Sequence, residues 1–248
     1  ARAHIMNDHV SDPLEAYRTV NTKSTLLLAK QAVEAGVKRF IFISTVKVNG
    51  ESTTGSRPYL AEDDPMPSDP YGVSKAEGEV GLQKISEETG LEVVIIRPPL
   101  VYGGGVKANF LNLLKLSKTG LPLPFGSINN KRSMIYLGNL VDFILKAIEH
   151  PNAANQTFLV SDTQDLSLSE LLFMIRSALG RSSRLIPVPS FLFRFIGAVL
   201  RKKDLVDRLI GDLQVDSNKA IKLLNWTPPF TVEQGVQITV DDFLKRKI

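Results

Sequence analysis

Apolar residues recur at helical spacing over 13–36, with Val20, Leu27, Leu28 and Val33 on the repeat and Gly36 placed to stop the helix. The next run, Arg39-Phe-Ile-Phe-Ile-Ser44, is short, β-branched and aromatic, as expected of a strand covered on both faces. A polar loop follows, punctuated by Gly50, Gly55, Pro58, Pro65 and Pro67. Ser68-Asp69-Pro70 then supplies a capping side chain and a proline for the first helical position. The pattern predicts a helix over 70–89 closed by Gly90, and a second buried strand over 91–97.

Helix, strand, helix, strand is the alternation of a doubly wound parallel sheet. Beyond Arg97 the pattern loosens. A Gly-rich turn, Tyr102-Gly-Gly-Gly105, precedes a helix over 109–118, a strand over 133–136, a helix over 139–150 and a strand over 156–160. A helix over 167–179 and a strand over 184–187 follow, and the remainder to Ile248 reads as mostly helical. The final third is expected to form a smaller α/β lobe beside the sheet. Within it, Phe191–Leu200 followed by Arg201-Lys-Lys203 has the look of a membrane-surface helix. The working expectation is nevertheless a lobe helix whose apolar face packs on its neighbours and whose basic end complements its own dipole.

Composition narrows the function classes. With 248 residues, 43% of them hydrophobic and 23% charged, the chain suits one large domain or a domain with a lobe. No window has the uncharged apolar length of a membrane span. The net charge is only +4, and no Lys/Arg stripe alternates with aromatics, so nucleic acid is not an expected partner. Cysteine is absent, which removes disulfides, thiolate metal sites and cysteine nucleophiles, and no metal is expected. The first residues, Ala-Arg-Ala-His-Ile-Met, lack the apolar stretch of a secretory signal, and a cytoplasmic location is expected. Their abrupt start reads as a chain that begins inside a larger protein.

Candidate chemistry centres on Tyr71 and Lys75. Four residues apart on one helix, they leave the same face, and a nearby ammonium favours phenolate over phenol. A Tyr with its pKa lowered from ~10 acts as a general base or acid near neutrality. Ser44 and Thr45 end the first strand, at the carboxyl edge where open α/β sheets bind ligands. Arg97-Pro98-Pro99-Leu-Val-Tyr-Gly103 reaches the same edge from the second strand.

Strand-Ser44-Thr45, Tyr71-x-x-x-Lys75, Arg97-Pro-x-x-Val-Tyr-Gly103, Arg132 before Ile135-Tyr136, and Leu223-Leu-Asn-Trp226-x-Pro228 together resemble the extended short-chain dehydrogenase/reductases. The likeness is to their NAD-dependent epimerase/dehydratase branch, UDP-glucose 4-epimerase-like enzymes in particular, and runs from Ala1 to about Phe243. It implies an α/β, Rossmann-type doubly wound parallel sheet without its first strands. Residues 1–105 would be part of a dinucleotide-binding domain. Residues 106–248 would be mainly a substrate-binding lobe, with segments of about 133–160 returning to the sheet. The resemblance assigns catalysis to Thr45, Tyr71 and Lys75. It assigns NAD contacts to Ala1, Ala3, Asn21, Ser44, Tyr71, Lys75 and Pro98, with NADP not excluded. Thr45, Asn109 and Arg132 would hold a UDP-sugar or related nucleotide sugar, the guanidinium meeting the diphosphate. Relatives of this kind also pair through the helices that correspond to 13–36 and 70–89, so a homodimer is expected, although Leu26, Leu28, Val80, Leu82 and Ile85 there could equally face the sheet.

Several positions depart from that pattern. Ser24 stands where the relatives have Gly, Leu100 where they have Asn, and Gly138-Asn139 where they carry a Val/Asp-Asp pair, with Asn139 a suitable helix cap. Val46 and Lys47 occupy the places of the dehydratases' Asp-Glu pair, which argues against dehydration. The Gly-rich turn and following acidic residue that hold the adenosine half of a dinucleotide are missing. The expected activity is therefore UDP-hexose 4-epimerisation through a 4-keto intermediate. An NAD(P)H-dependent sugar-nucleotide ketoreductase and a non-catalytic nucleotide-binding fragment are the alternatives.

Overall fold

The computed structural model describes residues 12–200 and 203–246. Its first half runs through α1 (Pro13–Tyr17), a π-helical segment (Arg18–Lys23), α2 (Ser24–Glu34), β1 (Arg39–Ile43), α3 (Pro70–Thr89), β2 (Glu92–Arg97) and β3 (Leu100–Tyr102). Then come α4 (Ala108–Lys118), β4 (Met134–Tyr136), α5 (Leu137–Glu149), β5 (Thr157–Leu159) and α6 (Leu168–Ala178). The chain continues with α7 (Ser190–Val199), α8 (Lys203–Ile210), α9 (Asn218–Leu224) and α10 (Val232–Lys245).

β1, β2 and β5 form a parallel sheet in the order β1-β2-β5. Side chains alternate across it, and both faces are covered, which is why these strands read as unbroken apolar runs. Val93 and Ile95 of β2 join Phe42, Ala29 of α2 and Leu82 and Ile85 of α3 on one face. Val94 and Ile96 join Leu140 and Phe143 of α5, Phe158 and Trp226 on the other. The same parity sends Ser44 and Arg97 towards α3.

α3 begins and ends as its sequence predicts. Asp69 Oδ1 accepts from the Gly72 amide at 2.6 Å, Pro70 opens the helix, and Gly90 closes it at φ 75°. The helix expected over 13–36 is instead interrupted at Arg18–Lys23. There the Ser24 amide and hydroxyl both turn to the Thr19 carbonyl, five residues back, widening one turn. Just before the Gly-rich turn, β3, a strand not predicted from the sequence, pairs in parallel with β4 as a second, two-stranded sheet. The strand expected over 184–187 shrinks to one bridge, Leu185 with Leu123, because Pro187 and Pro189 cannot donate to a ladder. Asn139 does not cap α5. It lies buried inside the first turn, donating to Asp162 Oδ1 at 2.8 Å and to the Phe230 carbonyl at 2.9 Å.

Beside the second sheet, Tyr102, Phe110, Leu114, Ile175, Val236 and Phe243 make a separate core from β3, α4, α6 and α10. Asp162, just past β5, ties the two sheets together. Its carboxylate accepts from the Tyr102 hydroxyl at 2.7 Å, the Tyr136 amide at 2.9 Å and Asn139. Burial pushes the Asp162 carboxyl up while these donors pull it down, with burial the larger influence.

Candidate active site

The site is built where α3 crosses the carboxyl ends of β1 and β2. Lys75, Gly78, Glu79, Leu82 and Ile85 form the buried stripe of the helix at three- and four-residue spacing. Gly78 permits the close approach, since a Cβ there would stand 3.0 Å from the Asn21 carbonyl oxygen and 3.4 Å from the Phe42 ring. Glu79 therefore meets Arg97 at the end of β2. The guanidinium is bidentate, with Nη2 2.6 Å from Oε2 and Nε 3.1 Å from Oε1, and both side chains are almost fully buried. The Ser44 hydroxyl donates to the same carboxylate. Arg97 Nη1 also donates to Asn49 Oδ1 at 3.1 Å, and Asn49 Nδ2 to the Leu60 carbonyl at 3.0 Å. One ion pair thus fastens the ends of two strands, the helix and the loop after β1.

Above this knot sit the expected catalytic residues. The Lys75 ammonium donates to the Ile43 carbonyl at 2.9 Å and lies 4.5 Å from the Phe42 ring centroid. Burial pulls its pKa down to about 8, and the Glu79 charge only partly offsets that. Lys75 has three donors and one hydrogen-bond partner among the described residues, so the ammonium can still donate twice. Tyr71, one turn away, packs edge-on to Tyr17 at 5.6 Å. Burial, with smaller contributions from Asp69 and Tyr17, pushes its phenol up to about 12. This corrects the expectation of a lowered pKa: the Lys75 charge is turned to the Ile43 carbonyl and the Phe42 ring and does not offset the desolvation of the phenol. Thr45 continues β1 in extended backbone, and its Oγ1 accepts from the Lys47 amide at 3.3 Å, capping a short 3-10 turn over Val46–Val48. Lys47 itself pairs with Glu51 at 2.9 Å and with the helix-capping Asp69, so it clamps the loop to the start of α3.

The other expected contacts fare unevenly. Asn21 is buried in the π-helical segment and donates to Ser74 Oγ at 3.0 Å, which brings it against the Tyr71 turn of α3. Pro98 is buried at the same edge, with its carbonyl accepting from Val46 at 3.0 Å. The Ser44 side chain, in contrast, is turned inward and donates to Glu79. Arg132 does not join Asn109 by any hydrogen bond or ion pair among the described residues. Its Nη1 donates to the Arg208 and Gly211 carbonyls at 2.9 and 3.2 Å, finishing α8, while Asn109 is exposed on α4. Ala1 and Ala3 lie outside the described residues. Sequence reasoning missed Glu79, although its place four residues after Lys75 and the single charge closing the apolar β2 were both visible. It also missed Arg208, whose Nε lies 3.6 Å from Glu51 and links the lobe to the Lys47 clamp.

The ordered motifs and the fold agree with comparisons to known proteins. Residues 1–161 match the model of the NAD dependent epimerase/dehydratase family. A UDP-glucose 4-epimerase of Vibrio cholerae is 50% identical over 246 residues, covering 99% of this chain and 75% of the relative. Among solved structures, the fold superposes on a UDP-glucuronic acid 4-epimerase of Bacillus cereus in complex with NAD, with a TM-score of 0.76 at 21% identity, covering 95% of this chain and 71% of that one. It also superposes on a Thermotoga maritima UDP-glucose 4-epimerase with UDP-glucose, with a TM-score of 0.73 at 23% identity, covering 94% and 72%. Among the described residues, no helix is long and apolar enough to cross a membrane.

Two outcomes follow from the buried charges. Glu79→Gln leaves Arg97 buried without its counter-charge and is expected to cost about 3–5 kcal/mol in urea unfolding, whereas the double change Glu79→Leu with Arg97→Met recovers most of it. A single and a double variant of equal stability would contradict the ion-pair account. The second concerns Lys75. The unfolded chain keeps this proton to about pH 10.5, while the folded chain releases it from about 8. Between those values the unfolded state binds more protons, so stability conferred through Lys75 rises with pH. Wild type should therefore gain stability over Lys75→Met from pH 8 to 10, and parallel curves would show that Lys75 is not desolvated.

Proposed function

This chain belongs to the NAD dependent epimerase/dehydratase family, and within it we propose that it is a UDP-hexose 4-epimerase working through a 4-keto sugar. The observation that supports this reading is Lys75, one turn after Tyr71 on α3, donating to the Ile43 carbonyl two residues before Thr45, in a chain half-identical to a UDP-glucose 4-epimerase. The residues present fit a bound dinucleotide. Lys75 is a buried ammonium with two donors to spare, suited to the diol of a ribose, and Asn21 and Pro98 are also buried. NAD, when bound, supplies the acceptor and later the donor of a hydride, along with a positive charge.

The chain's own residues then handle protons and orientation. The phenol of Tyr71 starts at about 12, so a second positive charge beside it is what turns it into a base at neutral pH. In the anionic form it takes the proton from the sugar 4-hydroxyl as C4 is oxidised. It returns that proton to the 4-oxygen when C4 is reduced from the other face. The Thr45 hydroxyl, fixed at the end of β1, bridges sugar oxygen and phenol. Arg132 retains Nε and Nη2 for a diphosphate after Nη1 has closed α8. Asn109, exposed on α4, is assigned to the same nucleotide. Absence of a carboxylate at Val46 or Lys47 favours epimerisation over dehydration.

The reading includes a homodimer through α2 and α3, supported by the outward exposure of Leu27, Leu28 and Val80 at 60%, 56% and 63%.

With NAD and UDP-glucose, Tyr71→Phe should lower turnover by ~10²–10⁴-fold while binding of the nucleotide sugar is retained. Unchanged turnover would remove Tyr71 from the chemistry, and stoichiometric consumption of NAD(P)H by wild type would make the chain a reductase. For the dimer, Leu28→Glu with Val80→Glu should halve the mass measured by light scattering, and an unchanged mass would place the interface elsewhere.

A further inference from the structure

α7 divides its apolar residues between two opposite faces. Phe193 faces the lobe, stacking on Phe125 at 5.5 Å, and Gly197 is buried one turn later on the same side. At 100° per residue, Phe191, Phe195 and Val199 fall on the opposite arc, and they are 63%, 66% and 66% exposed. Leu200, just past the helix, is 60% exposed. Packing on neighbours, the expectation for this stretch, therefore accounts for Phe193 and not for the outer face.

The charge around that face is one-sided. From 181 to 203 the sequence has six Lys or Arg and no Asp or Glu, whereas the whole chain carries only +4. The rest of the chain is thus net acidic by two charges. Arg181, Arg184, Arg194 and Lys203 are all exposed, and none makes an ion pair among the described residues. Arg194 lies on the helix between the turns that carry Phe191 and Phe195, at the border of the apolar arc. Exposed Phe, Val and Leu with flanking cations that form no ion pair among the described residues is the composition of a helix lying in the surface of an anionic bilayer. The basic stems can run along the acyl boundary while their charges meet phosphate headgroups. A nucleic acid would use the cations but leave Val199 and Leu200 without a partner. The helix has 10 residues, too short to span a bilayer.

We propose that the outer face of α7, with Arg181, Arg184, Arg194 and Lys203, docks this protein on an anionic lipid surface. α8 follows directly and ends on Arg132, and its Arg208 reaches Glu51 beside the Lys47 clamp, so docking would hold the substrate lobe at the membrane with the sheet edge tied to it. The proposal does not depend on which sugar nucleotide is used.

The test is flotation of the full chain with vesicles of phosphatidylcholine alone and with phosphatidylglycerol added. Wild type should float with the anionic vesicles, less so as salt rises, and stay in solution with the neutral ones. Phe191→Ser with Phe195→Ser should abolish flotation, and each of Arg194→Gln and Lys203→Gln should weaken it about fivefold. All variants should melt like wild type and keep its activity on a soluble nucleotide sugar. Failure of wild type to float, equal flotation with neutral vesicles, or unchanged flotation of the double serine variant would overturn the proposal. So would a drop in oligomeric mass in that variant with no change in flotation, since the face would then be a contact between copies.

Discussion

The bidentate ion pair between Glu79 and Arg97 is the constraint on which the site rests. Its partners come from a helix and a strand end, and it draws in Ser44 from β1 and Asn49 from the following loop. Three of these residues lie beside one expected to act: Ser44 precedes Thr45, Glu79 is one turn from Lys75, and Arg97 precedes Pro98. Buried ion pairs are poor sources of net stability, because desolvation offsets attraction. What this one provides is geometry, since its hydrogen bonds are satisfied in only one arrangement of helix and strands.

That geometry leaves the active residues electrically unfinished. Lys75 is pulled below the normal lysine range and Tyr71 is pushed above the normal tyrosine range, both chiefly by burial. Desolvation works against each charged form, so an ammonium and a phenolate are favoured here only together with further charge and hydrogen bonding. A pyridinium ring and a ribose diol bring those features. Base strength at Tyr71 would then depend on those groups being held beside Lys75.

Much of this arrangement was legible in the chain. Unbroken apolar runs at β1 and β2 announced a sheet covered on both sides, and Asp69-Pro70 and Gly90 marked both ends of α3. The ordering of Thr45, Tyr71, Lys75 and Arg97-Pro98 located the sheet edge. The π-helical segment at Arg18–Lys23 was hidden, because its widening depends on the Ser24–Thr19 contact and not on apolar spacing. The internal hydrogen bonds of Ser44 and Arg132 were hidden for a related reason. Motif position says which residue is near a site, while strand parity and the carbonyls at the end of α8 decide where its side chain goes. The pKa of Tyr71 was misjudged because i, i+4 spacing guarantees a shared face but not a shared charge environment.

The central claim is that Tyr71 and its neighbours support oxidation and re-reduction at one sugar carbon with no net redox change. The direct measurement follows deuterium placed at C4 of UDP-glucose through turnover with NAD in ordinary water. The account predicts UDP-galactose that keeps the deuterium at C4, with no NADH accumulating. Loss of the label to solvent, or a product that stays oxidised as NADH builds up, would contradict it.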